Sequence, residues 1–242
     1  MDTLKYVRLP VKNAYNIREL GGYPCYNPSG ITKWRAFLRA DDLSALDAND
    51  IEFLMNYGIR SVIDLRGKEE IQAHPNPFAK IKEADYISIP LISGTLSDIT
   101  RESSTNSTNF IYSFYMDIIT NEKTAIKNIM CAIANCAPGC ILFHCTAGKD
   151  RTGIIAALLL GLAGVNQADI ISNYEATYTY IKQNPTMIKH SKKVPEEFLY
   201  SKAEYIESVL DYINEFYGDI YSYLISTGIS EETLDIITQK IR

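Results

Sequence analysis

The chain has 242 residues, with 24 Lys and Arg against 29 Asp and Glu, and a formal net charge of −5. Its 46% hydrophobic and 22% charged residues are the balance of a globular protein large enough to bury a core without disulfides or metals, and the mild acidity excludes a general nucleic-acid binder. Five cysteines, an odd and sparse set, exclude a disulfide scaffold and suit a reducing compartment. The first twenty residues have no apolar core and no small-residue cleavage site of a secretory leader. The longest apolar run, 154–165, is well short of the roughly 20 residues that span a bilayer. A cytoplasmic protein is therefore expected, with secretion the alternative if a leader has been removed.

In chain order, Asn27-Pro28-Ser29-Gly30 has proline second and glycine fourth, as a type I turn prefers, so its flanks are expected to form a β-hairpin. Asp47 is placed to cap a helix that runs to Tyr57 and stops at Gly58. Residues 61–65 and 86–91 are short apolar strands. Apolar residues at helical spacing, Ile126, Ile129, Met130 and Ile133, predict helix between 110 and 135. The turn-rich stretch 93–109 is a surface loop or a lid over a site. Residues 140–143 are apolar throughout, as in a strand buried on both faces, and the apolar run after them is a buried helix. Asn166 caps a further helix, 184–195 is a loop, and 198–217 is an amphipathic helix stopped by Gly218. Ser230 caps the last helix. Strands alternating with helices predict one α/β domain over 1–242, with the hairpin region of about 13–40 included. Its core is a mostly parallel, short-stranded sheet flanked by helices. Ligands of such sheets bind at the carboxyl ends of the strands.

One such end carries chemistry. The segment His144-Cys145-Thr146-Ala147-Gly148-Lys149-Asp150-Arg151-Thr152-Gly153 joins the buried strand to the apolar helix. A strand-to-helix turn directs several backbone N–H groups into one concavity, and the helix adds its positive end. Thr146, Ala147, Gly148, Lys149, Asp150 and Arg151 would line it. Arg151 offers a planar fork for phosphate oxygens, and Lys149 is a second cation that would favour highly charged headgroups. The same field favours the thiolate of Cys145, its nucleophilic form. Thr152 can donate its hydroxyl to that sulfur. The alternative is a strand cysteine acting as a small hydrophobe before a solvated helix start.

This segment resembles the phosphate loop of the Cys-based protein tyrosine phosphatase superfamily. Its Lys149-Asp150 resembles the atypical bacterial branch that acts on phosphotyrosine, phosphoserine and phosphoinositides. Residues 16–23, 37–43 and 62–66 are similar to that branch, as are Tyr217-Gly218 and Tyr223-Leu224. The resemblance implies hydrolysis of phosphomonoesters through a cysteinyl-phosphate on Cys145, without metal or other cofactor. Arg151 and the loop amides would bind the phosphate, and His144 would orient the nucleophile. It also implies a general acid. Trp34 is followed by Arg35, so the Trp-Pro-Asp loop of the well-known tyrosine phosphatases is absent, and Asp150 or Asp64 is left for that role. Asp64 has a second reading, as a loop-organising carboxylate paired with Arg66 or Arg39. A pseudophosphatase that only binds phosphorylated ligands is the competing function. A sulfurtransferase would not need Arg151, and an arsenate reductase would need resolving cysteines in defined places. Cys131, Cys136 and Cys140 lack metal-ligand spacing and are expected to be core residues.

Overall fold

A computed structural model of the protein describes residues 4–26, 28–92, 107–185 and 196–242, without the side chains of 107–109, 196 and 197. The expected loops at 93–109 and 184–195 fall largely outside these residues. The elements in order are β1 (Arg18–Glu19), β2 (Pro24–Tyr26), β3 (Ser29–Ile31), β4 (Phe37–Ala40), α1 (Ala48–Tyr57), β5 (Ile59–Asp64), α2 (Lys68–Ala73) and β6 (Asp85–Ser88). They continue with α3 (Ser107–Asn121), α4 (Lys123–Asn135), β7 (Cys140–His144), α5 (Asp150–Leu162), α6 (Gln167–Ile181), α7 (Ala203–Tyr217), α8 (Ile220–Ser226) and α9 (Glu231–Ile241).

Five strands form one sheet in the order β1-β4-β7-β5-β6. All its pairings are parallel except that of β1 with β4, so the protein is an α/β fold with a mostly parallel central sheet. β7 is buried along its whole length, which is why it reads as an unbroken apolar run. Side-chain alternation divides the core in two. Phe37, Ile63, Ile141 and Phe143 pack with α3 to α9 on one face, and Leu38, Val62, Cys140 and Leu142 pack with α1 on the other. α5 is buried from Asp150 to Leu160, as its apolar sequence requires.

Local signals set the helix ends. Asp47 accepts hydrogen bonds from the amides of Asn49 and Asp50, and Gly58 closes α1 with φ at +119°. Asn166 caps α6 and Ser230 caps α9. Three expectations need correction. The hairpin register pairs Tyr26 with Ser29, one residue earlier than the turn signal suggested, and the second arm ends at Ile31. Phe37–Ala40 is instead an inner strand of the main sheet. The helix expected over 198–217 begins only at Ala203. The carbonyls of Phe198 and Tyr200, which a continuous helix would use for its own ladder, accept hydrogen bonds from Lys149 Nζ instead. No helix among the described residues is long and apolar enough to cross a membrane.

Candidate active site

Strand register assembles the site. Ala40 and Asp64 both stand opposite His144, so the carboxyl ends of β4, β7 and β5 lie side by side. The loop 145–149 leaves β7 at that point and enters α5. Among the described residues, no acceptor meets the backbone N–H groups of Thr146, Ala147, Gly148, Lys149, Asp150 or Arg151. These are orphan donors of a loop and a helix start, the arrangement that receives an anion.

The loop holds this shape because its carbonyls are fixed from below. Asn16 Nδ2 donates to the carbonyls of Ala147 (3.3 Å) and Gly148 (3.1 Å), and Arg39 Nη2 donates to Gly148 at 2.7 Å. Arg39 also reaches Asn173 Oδ1 at 2.6 Å. Arg18 spans Asn16 Oδ1, the Asn173 carbonyl and Thr177 Oγ1, each at 2.9 Å. Asp41 takes the amides of Tyr15 and Asn16 and so places Asn16. Burial pulls the Arg39 guanidinium down to about 10. Gly148 has φ at +64°, and a Cβ there would stand 2.5 Å from the Ala40 carbonyl oxygen.

Cys145 is buried at the loop's base. His144 sits beneath it. Asn76 Nδ2 donates to His144 Nε2 at 2.8 Å, which leaves the proton on Nδ1 to reach the Cys145 carbonyl at 3.1 Å. Asp64 Oδ2 stands 3.3 Å from Nε2. Asp64 is fully buried and takes two hydrogen bonds from the Arg66 side chain, at 2.7 and 2.9 Å, and one from Tyr86 at 2.8 Å. Burial pushes its carboxyl up, but the Arg66 hydrogen bonds and positive charge outweigh that and hold it far below the ordinary range. Thr152 Oγ1 is buried and has no hydrogen-bond partner, so the bond to Cys145 suggested by sequence is not formed here. The Gly148 carbonyl one turn earlier is already taken by Arg39 and Asn16.

Arg151 is gripped by a residue the sequence did not single out. Glu70, in the first turn of α2, accepts from Arg151 Nη1 at 2.6 Å and Nη2 at 2.8 Å. It also accepts from the Thr146 hydroxyl and from the Gly67 amide. Burial works against both charges, yet the pair raises the Arg151 guanidinium and lowers the Glu70 carboxyl. The one sequence signal for Glu70 was a carboxylate three residues after Gly67, at the N3 position of a helix. Lys149 is 2% exposed and does not stand in solvent. Its Nζ lies 2.5 Å from the Phe198 carbonyl, 3.2 Å from that of Tyr200 and 3.3 Å from Asp150 Oδ1.

All five cysteines are free. Cys140 lies five residues before Cys145 along an extended strand, about 16 Å away, and a disulfide needs Cα atoms within about 7 Å. Cys25 sits beside Val165, beyond the far end of α5. Burial pushes the thiols of Cys136 and Cys140 up, which makes them poor partners for exchange. Mild peroxide is therefore expected to oxidise Cys145 without joining it to another cysteine. Peptide mass spectrometry showing a Cys145 disulfide within the chain would contradict this. No group of three or more His, Cys, Asp or Glu among the described residues is placed to hold a metal.

Unpartnered backbone amides, an arginine and a thiol stand together at one strand end, an arrangement that suits the handling of a phosphoryl group. The sequence model of the tyrosine phosphatase family matches residues 9–242, and the chain belongs to that family. It is 32% identical over 212 residues to the tyrosine-protein phosphatase of Nostoc commune, covering 82% of this chain and 71% of that one. It is also 24% identical over 242 residues to the triple specificity protein phosphatase PtpB of Mycobacterium tuberculosis, covering 81% and 87%.

Proposed function

We propose that this phosphatase hydrolyses phosphomonoesters through a cysteinyl-phosphate on Cys145, with Asp150 as the proton donor. The observation that carries this is the set of unpaired loop amides around Cys145, with Arg151 held beside them by Glu70. In the forward step Cys145 Sγ attacks phosphorus as the bond to the leaving oxygen breaks. Arg151 and the amides of 146–151 take the charge on the equatorial oxygens. Asp150 gives its proton to the leaving oxygen. Water then attacks phosphorus as the S–P bond breaks, Asp150 takes a proton from that water, and inorganic phosphate and the Cys145 thiolate are released. His144 and the buried layer beneath the loop position Cys145. The Thr152 hydroxyl is left to donate to the sulfur once it is charged.

Asp150 is preferred because it lies at the loop itself, whereas Asp64 is fully buried and committed to Arg66 and Tyr86. Asp64 then serves as the loop-organising carboxylate. Asp150→Asn should lower turnover of a phosphoserine peptide about a hundredfold and of p-nitrophenyl phosphate far less, because a phenolate leaves without a proton. Asp64→Asn should instead cost about 3 kcal/mol in denaturant unfolding, since it strips buried Arg66 of a partner. Equal losses on both substrates from Asp150→Asn would reverse the assignment.

The substrates in this reading are phosphotyrosine, phosphoserine and phosphothreonine in proteins, with phosphoinositides as a further class. The triple specificity in the name of the mycobacterial relative supports a broad range. Five free thiols suit a cytoplasmic location. The direct test is metal-free hydrolysis of p-nitrophenyl phosphate, with Cys145→Ser as control and a substrate panel beside it. A wild-type protein that binds phosphate and turns nothing over would favour the pseudophosphatase reading.

A further inference from the structure

Two buried tyrosines outside the phosphate cradle reach Asp150. Tyr115, on α3, places its hydroxyl 2.7 Å from Asp150 Oδ1. Tyr174, on α6, places its own 2.5 Å from that of Tyr115. Each hydroxyl has one proton to give. The Tyr115 proton goes to the carboxylate, so the Tyr174 proton must point at the Tyr115 oxygen. The chain has a single direction, from Tyr174 to Tyr115 to Asp150 Oδ1. Packing locks both rings. They meet edge to face at 6.2 Å, and Tyr205 of α7 packs on Tyr115 at 6.5 Å. Tyr174 fits only because position 153 is glycine, where a Cβ would stand 2.9 Å from its ring. Lys149 Nζ lies on the same carboxylate oxygen, at 3.3 Å. Asp150 Oδ2 has no donor among the described residues.

We infer that Tyr115, backed by Tyr174, is a positioning residue that decides which oxygen of Asp150 carries the catalytic proton. This rests on Asp150 being the acid. A donated hydroxyl and an ammonium on Oδ1 leave Oδ2 as the place for the proton. In the forward step the Oδ2–H bond breaks, the leaving oxygen takes the proton, and Asp150 is left as a carboxylate. Tyr115 keeps its own proton throughout. Its bond to Oδ1 strengthens as the negative charge arrives, so it stabilises the reaction more than the ground state.

The groups facing Asp150 are Tyr115 from α3, Tyr174 from α6, and Lys149 and Arg151 from its own loop and helix. Tyr205 stands behind Tyr115. The contributions of Tyr115 and Tyr174 can each be removed by deleting one oxygen atom.

The experiment measures pH profiles of kcat/KM for Tyr115→Phe and Tyr174→Phe with a phosphoserine peptide and with p-nitrophenyl phosphate. Loss of the Tyr115 donor should move the basic limb of the phosphoserine profile up by about one pH unit, because the ionised acid loses a hydrogen bond. The plateau on phosphoserine should fall about tenfold and the aryl plateau by less than about threefold. Tyr174→Phe should act in the same direction with smaller effects, and it serves alone if Tyr115→Phe does not fold. Equal losses on both substrates with an unmoved limb, or no change at all, would overturn the inference. Asp150→Asn is run alongside. If it abolishes the limb while both tyrosine variants leave the limb in place, the positioning role alone fails. If it leaves phosphoserine turnover intact, the acid assignment fails and takes this role with it.

Discussion

Gly148→Ala is expected to lower kcat/KM for p-nitrophenyl phosphate by at least about a hundredfold while the protein remains folded. Gly148 stands in the left-handed region at φ +64°, where an L side chain is strained. A Cβ would also meet the Ala40 carbonyl carbon at 2.7 Å and Asn16 Nδ2 at 2.8 Å. Neither can yield, because Ala40 belongs to an inner strand and Asn16 is tied to Arg18 and Asp41. The loop itself must move. A shift of even one ångström takes the neighbouring amides off the phosphate oxygens. The effect should appear in both KM and kcat, and in weakened inhibition by inorganic phosphate. Circular dichroism and a thermal melt close to wild type would show that the loss is local. Activity within threefold of wild type would mean that Gly148 does not set the loop.

Arg151→Lys should cost about a thousandfold in kcat/KM, although it keeps the charge. The guanidinium meets both oxygens of Glu70 through Nη1 and Nη2, and Nη2 also lies 3.5 Å from the Thr146 hydroxyl of the loop. An ammonium cannot be held by two parallel bonds and still face the phosphate. Glu70→Gln should cost about a hundredfold for a related reason. The new amide would present N–H groups to an arginine that has only N–H groups to offer. The two changes should combine to much less than their product, because both release the same side chain. Additive losses in the double variant would show that Glu70 acts elsewhere.

These two residues also mark where the sequence was legible. Cys145 to Arg151 could be read because its meaning is local, with a buried strand, a glycine and a helix start in ten residues. The caps at Asp47, Asn166 and Ser230 are local for the same reason. Glu70 is 81 residues from Arg151, and nothing periodic joins them. Asn16, Arg18, Arg39 and Asp41 were marked only by resemblance, and the structure gives the physical reason, since all four hold the loop from below. Asn173 and Thr177 left a fainter trace. With Ile170, Tyr174 and Ile181 they complete the buried face of α6, and polar residues on such a face signal a buried polar partner. Phe37–Ala40 was misread because a turn signal nearby outweighed an apolar run with an arginine in it. The break before Ala203 was hidden because its cause, Lys149, comes from 49 residues earlier.

The polar layer beneath the loop has one more consequence. Asn16, Arg18, Arg39, Asn173 and Thr177 are all buried, and they join β1, β4 and α6 to the loop carbonyls. To open the loop, several of these bonds must break together and two guanidiniums must lose their acceptors. The anion cradle thus lacks the independent mobility of an ordinary surface loop and belongs to the same cooperative unit as the sheet. Denaturant should therefore extinguish activity and the fold in a single transition.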